Sequence, residues 1–183
     1  KVDIQNIYTQ PKFKFARNVY SYPQMIMTLQ APDEASLAEY VADNAQSIID
    51  FFTRAEMNRE INNLREEHNP EVSRLAKEII GVDVWVPWEL NKFKKGKDFL
   101  WASTNTGKKD MSIVLYSYPY TDENTFTLEY FLDKRDSVMK ANIPGGPEGS
   151  YMATQRDFVY VEDATVHGKY AQVARGLWRV KGD

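Results

Sequence analysis

LEYFLDKRDSVMKANIPGGPEGSYM, residues 128–152, carries the densest local instructions in the chain. Leu128, Phe131, Leu132, Arg135 and Met139 recur at steps of three and four, the mark of a helix with one apolar stripe. The pattern stops at Asn142. Ile143-Pro144-Gly145-Gly146-Pro147-Glu148-Gly149 then forces a reversal, because proline cannot continue a helix and glycine takes turn conformations that other residues avoid. Ser150-Tyr151-Met152 re-enters an extended run, so helix, turn and strand follow one another directly.

Residues 1–17 are polar with scattered aromatics (Tyr8, Phe13, Phe15) and read as an irregular arm ahead of an α+β body at 18–183, the whole forming a single domain. Met25-Ile26-Met27-Thr28-Leu29 is the first expected strand, and Asp33 after Pro32 suits a helix N-cap. Leu37, Val41, Asn44, Ile48, Phe51, Phe52, Ala55 and Arg59 then mark a long helix, expected to run to about His68. Asn69-Pro70 should start a shorter helix ending near Gly81. Further strands are expected at 82–86, 99–104, 111–118, 151–155, 158–161 and 170–180, with 88–97 a lysine-bearing loop and 105–110 a hairpin-like connection.

Glu39-Tyr40-Val41-Ala42-Asp43 and Ser47-Ile48-Ile49 correspond to Glu129-Tyr130-Phe131-Leu132-Asp133 and Ser137-Val138-Met139 at an offset of 90. Amphipathic patterning alone produces such matches; duplication would make two related strand-helix-strand halves. Either way the expected fold is α+β, with a mixed or antiparallel sheet of five or more strands and two long helices packed on one face.

The 183 residues are 43% hydrophobic and 27% charged, enough to bury one core, and the net charge of −3 argues against a phosphate-backbone footprint of DNA or RNA. Zero cysteines excludes disulfides, thiolate metal sites and cysteine nucleophiles. No run reaches a membrane span, and a soluble chain is expected. The start at Lys1 and the close at Val180-Lys181-Gly182-Asp183 read as the interior of a longer gene product.

No catalytic pattern emerges. His68 and His167 have no partner at ligand spacing, so no metal or cofactor is expected. Ser150 lacks the glycine two residues on that a nucleophile elbow needs, and the 145–149 glycines lack the Lys-Ser/Thr of a phosphate loop. Glu129, Asp133 and Asp136 share a helix side and read as a solvated charged face. Arg135 and Arg59 differ because each lies on an apolar stripe. A guanidinium drawn inward keeps its charge and needs an acceptor, and the expected partners are Asp136 and Glu56, a buried charge network.

Alternation puts Val82, Val84, Val86, Leu100, Ala102, Ile113 and Leu115 on one sheet face, the floor for the helices. The opposite face then carries Trp85, Phe99, Trp101, Tyr116 and Tyr118, with Trp178 added by the last strand. Three covers would serve so many aromatics: the chain's own arm and terminal strands, a second copy or other protein partner, or a ligand such as a glycan that stacks on flat rings.

Arg17-Asn18-Val19-Tyr20 with Pro23-Gln24, Phe99-Leu100-Trp101, Tyr116-Ser117-Tyr118-Pro119-Tyr120, Lys134-Arg135-Asp136, Asn142-Ile143-Pro144-Gly145 with Glu148-Gly149-Ser150-Tyr151-Met152, and Arg175-Gly176-Leu177-Trp178 together resemble an uncharacterised family of predicted lipoproteins from gut-type Gram-negative bacteria. The resemblance spans most of the chain. It implies a lipid anchor outside this sequence and a place in the cell envelope, facing the periplasm or the exterior. It implies no activity and no catalytic residues. The expected function is a non-catalytic envelope binding or interaction module for a protein or glycan. A small glycan-active hydrolase using scattered carboxylates is the other class.

Overall fold

The computed structural model describes residues 9–182 apart from 105, 108 and 109. The start of the arm and part of the 105–110 connection therefore lie outside the described residues. The chain divides into two compact units, residues 1–117 and 118–183. The class is α+β, and among the described residues the strands pair antiparallel in three sheets of two, three and two strands rather than in one.

The first unit opens with β1 (Lys12–Arg17), paired antiparallel with β2 (Met25–Gln30). The arm is thus a strand from residue 12: Phe13 and Phe15 alternate with Lys12, Lys14 and Ala16, a period of two that sets both rings on one face. α1 (Glu34–Asp43) and α2 (Ala45–Glu66) follow, where a single helix was expected. The division falls at Asn44, whose side chain turns back to donate to the Tyr40 carbonyl at 2.9 Å. Asp33 caps α1 by accepting from Ser36 N–H at 2.8 Å, and that bond holds its carboxyl below the ordinary range. The stripe of α1 and α2 faces the hairpin: Phe13, Met27, Leu29, Tyr40, Ile48 and Phe51 line one small cavity, with the Phe15 and Phe51 rings 6.1 Å apart.

α3 (Pro70–Ile80) begins and ends as its punctuation dictates, with Pro70 in the first turn and Gly81 in the left-handed conformation at φ 82°. It covers a sheet of β3 (Lys92–Gly96), β4 (Phe99–Ser103) and β5 (Ser112–Tyr116), in that order. Val72, Leu75, Ala76, Val86, Leu90, Leu100 and Ala102 form the core, with Val84, Ile113 and Leu115 against it. The aliphatic floor is therefore real over the strands, but the short helix α3 occupies it. Two further expectations change. Residues 82–86 make no sheet strand, only a bridge beside them from Pro87 to His68, and the lysine loop contains β3.

Asn69 ties this unit together. Buried at 7% exposure, it accepts from Val72 N–H at 3.1 Å, donates from Nδ2 to the Leu90 carbonyl at 3.2 Å, and sends its own N–H to the Val86 carbonyl at 2.8 Å. Replacing Asn69 with alanine removes the cap and strands two buried backbone groups, so thermal unfolding should show a loss of about 2 kcal/mol. A change under about 0.5 kcal/mol would show that water replaces the amide freely.

The second unit runs through a 3₁₀ turn (Glu123–Phe126) into α4 (Leu128–Asn142), capped by Thr127 accepting from Tyr130 N–H at 3.3 Å. Beyond it, β6 (Tyr151–Val166) and β7 (Lys169–Lys181) form a long hairpin whose register shifts between Thr154 and Val159. The 143–150 turn is closed by buried Ser150, whose Oγ donates to the Pro147 carbonyl at 2.7 Å while Gly145 N–H reaches the Ser150 carbonyl at 2.7 Å. Gly145 is required there, because a Cβ would meet Ser150 Oγ at 2.2 Å. The two repeat-matched helices stand in different settings: α1 leads into another helix and α4 into a hairpin, so strand-helix-strand halves are not formed.

Candidate functional site

Asp133, Asp136, Ser137 and Lys140 recur at steps of three and four and line one side of a cleft of about 740 Å³ in the second unit. The hairpin supplies the other side. There the β6–β7 register sets Lys181 opposite Tyr151 and Arg179 opposite Ala153, and the register shift brings Arg156, Asp157 and Phe158 to the rim.

The cleft floor is a hydrogen-bonded joint between α4 and β6. Asp136 accepts from Thr154 N–H at 3.0 Å and from Thr154 Oγ1 at 2.7 Å. Arg135 Nη1 donates to Asp136 Oδ1 at 3.0 Å and to Thr154 Oγ1 at 2.9 Å, while its Nη2 lies 3.6 Å from Met152 Sδ. Their side chains are only 24% and 14% exposed, so the charges neutralise one another away from most of the solvent. At the rim Arg156 pairs with Asp133, and that bond raises the already high pKa of the guanidinium. Lys140 sits 5.4 Å from the centre of the Tyr151 ring, a cation–π contact rather than an ion pair.

Arg59 and Glu56 pair at 2.9 Å along α2 in the first unit, with 37% and 59% of their side chains exposed. Each arginine thus pairs with its expected partner within its own helix, and of the two pairs only Arg135–Asp136 is substantially covered. Glu129 and Asp133 remain exposed as a solvated face would be, whereas Asp136 turns to the strand.

The six expected contact aromatics are divided between the units, Trp85, Phe99, Trp101 and Tyr116 in the first and Tyr118 and Trp178 in the second. Phe99, Trp101 and Tyr116 share a face of β4 and β5, since Phe99 lies directly opposite Tyr116, but Phe99 is buried. Trp85 stands off the sheet at 44% exposure, its ring 5.6 Å from the Arg65 guanidinium and 6.3 Å from His68. Tyr118 belongs to the second unit, its ring tilted against that of Tyr130 at 6.0 Å with Lys134 at 4.9 Å, and burial raises its pKa. Trp178, 52% exposed, lies on β7 opposite Thr154.

Among the described residues no group of three His, Cys, Asp or Glu is placed to hold a metal ion, and no helix is long and apolar enough to cross a membrane. His68 Nδ1 is 3.1 Å from the Leu64 carbonyl, and His167 occupies the tip of the β6–β7 hairpin.

Residues 69–183 match the family model described as Domain of unknown function (DUF4837). The chain belongs to this family. The matched span begins at Asn69, the buried anchor of α3, and includes the whole of α4 and the β6–β7 hairpin. Residues 1–65 match a second model, Domain of unknown function (DUF8532). No curated protein and no solved structure matches the chain.

The cleft cations Lys140, Arg156, Arg179 and Lys181 were not legible as a group. The available signal was local: Arg156-Asp157 interrupts two expected strands, as an irregularity in a single strand does.

Proposed function

We propose that this chain is a non-catalytic binding module of the cell envelope, held by a lipid anchor in its full-length form, and that the α4–β6–β7 cleft takes a negatively charged ligand. Charge balance in the cleft supports the reading. Asp133 and Asp136 are already joined to Arg156 and Arg135, leaving Asp157 as the unpaired acid among the described lining residues. Against it stand Lys140, Arg179 and Lys181, none of which has a carboxylate partner among those residues. Unpaired cations converging on one concavity attract an oxyanion and bind it by charge-assisted hydrogen bonds. The envelope placement draws on the lipoprotein resemblance of the sequence.

A hydrolase using paired carboxylates would need two acids free to face a substrate, and here two of the three are already tied to cations. The binding reading is tested by calorimetry with oligogalacturonate and inositol hexakisphosphate, which offer carboxylate and phosphate separately. Affinity for one of them should fall roughly tenfold between low salt and about 200 mM salt, and should be lost in Arg179→Glu/Lys181→Glu. Binding that ignores both salt and charge reversal would sink the proposal.

A further inference from the structure

The Arg17–Gln24 segment, part of the motif that carries the family resemblance, takes no part in the cleft and folds into a closed loop of its own in the first unit. Asn18 N–H donates to the Gln24 carbonyl, Gln24 N–H returns to Asn18 Oδ1, and Tyr20 N–H donates to Gln24 Oε1, each at 3.0 Å. Asn18 adopts φ 54°, a left-handed conformation that asparagine tolerates better than most residues. The loop's shape is therefore set by its own polar groups and needs no apolar cover. Its tyrosines are displayed accordingly: Tyr20 and Tyr22 are 84% and 85% exposed.

Tyr22 borders a groove of about 450 Å³ between this loop and α2, whose other wall includes Asn58, Arg59, Asn62, Asn63 and Glu66. Asn58, Asn62 and Glu66 follow at steps of four and so stand in one row along the helix. The side-chain amides of Asn58, Asn62 and Asn63 have no protein partner among the described residues. Arg59 is held by Glu56 through Nη1, which orients its guanidinium without using all of its donors. Arg17 and Glu66 balance in charge, and Glu56 offsets Arg59, so this groove lacks the cationic excess of the α4 cleft.

The ligand that fits is uncharged, rich in hydroxyls and flat on one face. An amide donates and accepts at once, as a hydroxyl does, so a row of free amides pairs with a row of hydroxyls. A tyrosine ring edging the row offers an apolar platform for the C–H face of a pyranose, with its own hydroxyl left to water. We propose that the groove between the 18–24 loop and α2 is a binding site for neutral oligosaccharides, with Tyr22 as the stacking ring and Asn58, Asn62 and Asn63 as the hydroxyl readers.

The test applies the full chain to an array of neutral α- and β-linked oligosaccharides, followed by calorimetry on the best-retained glycan. Tyr22→Ala and Asn62→Ala should each weaken that binding by roughly tenfold, with unchanged melting temperatures because both side chains are exposed. High salt and Arg179→Glu/Lys181→Glu should leave it intact, which separates this groove from the anion cleft. The proposal is overturned if the array retains no neutral glycan, if binding survives both substitutions, or if retention is confined to charged glycans and collapses in salt.

Discussion

Leu100→Ala is expected to lower the unfolding free energy by about 3–5 kcal/mol, the upper part of the range for a buried leucine truncated to alanine. Leu100 is 1% exposed and sits in β4, the middle strand of its sheet, flanked by Lys95 of β3 and Leu115 of β5 and packed with Val72, Leu75 and Ala76 of α3. A central strand hydrogen-bonded on both sides cannot shift inward to close a cavity, so the lost contacts are not recovered. Urea unfolding followed by circular dichroism measures the effect. A loss below about 1 kcal/mol would mean that the α3 core relaxes around the hole.

The second large effect is expected at the joint under the cleft. Asp136→Ala removes the acceptor for Thr154 N–H, Thr154 Oγ1 and Arg135 at once. The guanidinium would keep Thr154 Oγ1 and Met152 Sδ but lose its counter-charge in a place with 24% exposure. Breaking a fully buried pair costs about 3–5 kcal/mol; with partial access to water the figure here should be about 2–3 kcal/mol. Asp136→Asn retains an acceptor for Thr154 and should cost less. Arg135→Ala combined with Asp136→Ala should destabilise by less than the sum of the single changes, since one interaction is counted in both. Strict additivity, or an unchanged melting temperature for Asp136→Ala, would return the pair to the status of a surface contact.

What the sequence made legible was local. The α4 helix, its stop at Asn142 and the tight 143–150 turn follow from Pro and Gly positions whose consequences lie within a few residues, whereas the Ser150 contact that excludes a side chain at Gly145 emerged only from the structure. Asp33, Asn69-Pro70 and Gly81 marked helix ends for the same reason. Pairing was harder because it is non-local. Val82, Val84 and Val86 alternate as a strand does, yet Val84 and Val86 serve the α3 core without joining a sheet. Lys92, Lys94 and Lys95 looked like a loop because lysine has little strand preference, but their segment pairs with β4 at the sheet edge, where lysines are well placed. Phe13 and Phe15 carried a readable period of two that their polar neighbours disguised. The cleft was out of reach for a related reason: Lys140 and Lys181 meet only through the packing of α4 on β6 and the β6–β7 register.

The β6–β7 hairpin has sixteen residues in one strand and thirteen in the other, and among the described residues it pairs with no third strand. At about 3.3 Å per residue its longer strand reaches roughly 50 Å, and each outer edge offers a row of backbone donors and acceptors to any extended chain that meets it. Such an edge is a template for aggregation. β7 carries Lys169, Arg179 and Lys181, besides an Arg175 paired with Glu162 of β6, so two copies approaching by their β7 edges would bring like charges together before their backbones could bond. The shifted register between Thr154 and Val159 also breaks the regular ladder that a third strand would have to follow. Arg179 and Lys181, which give the cleft part of its charge, thereby also oppose edge-to-edge pairing of two copies along β7.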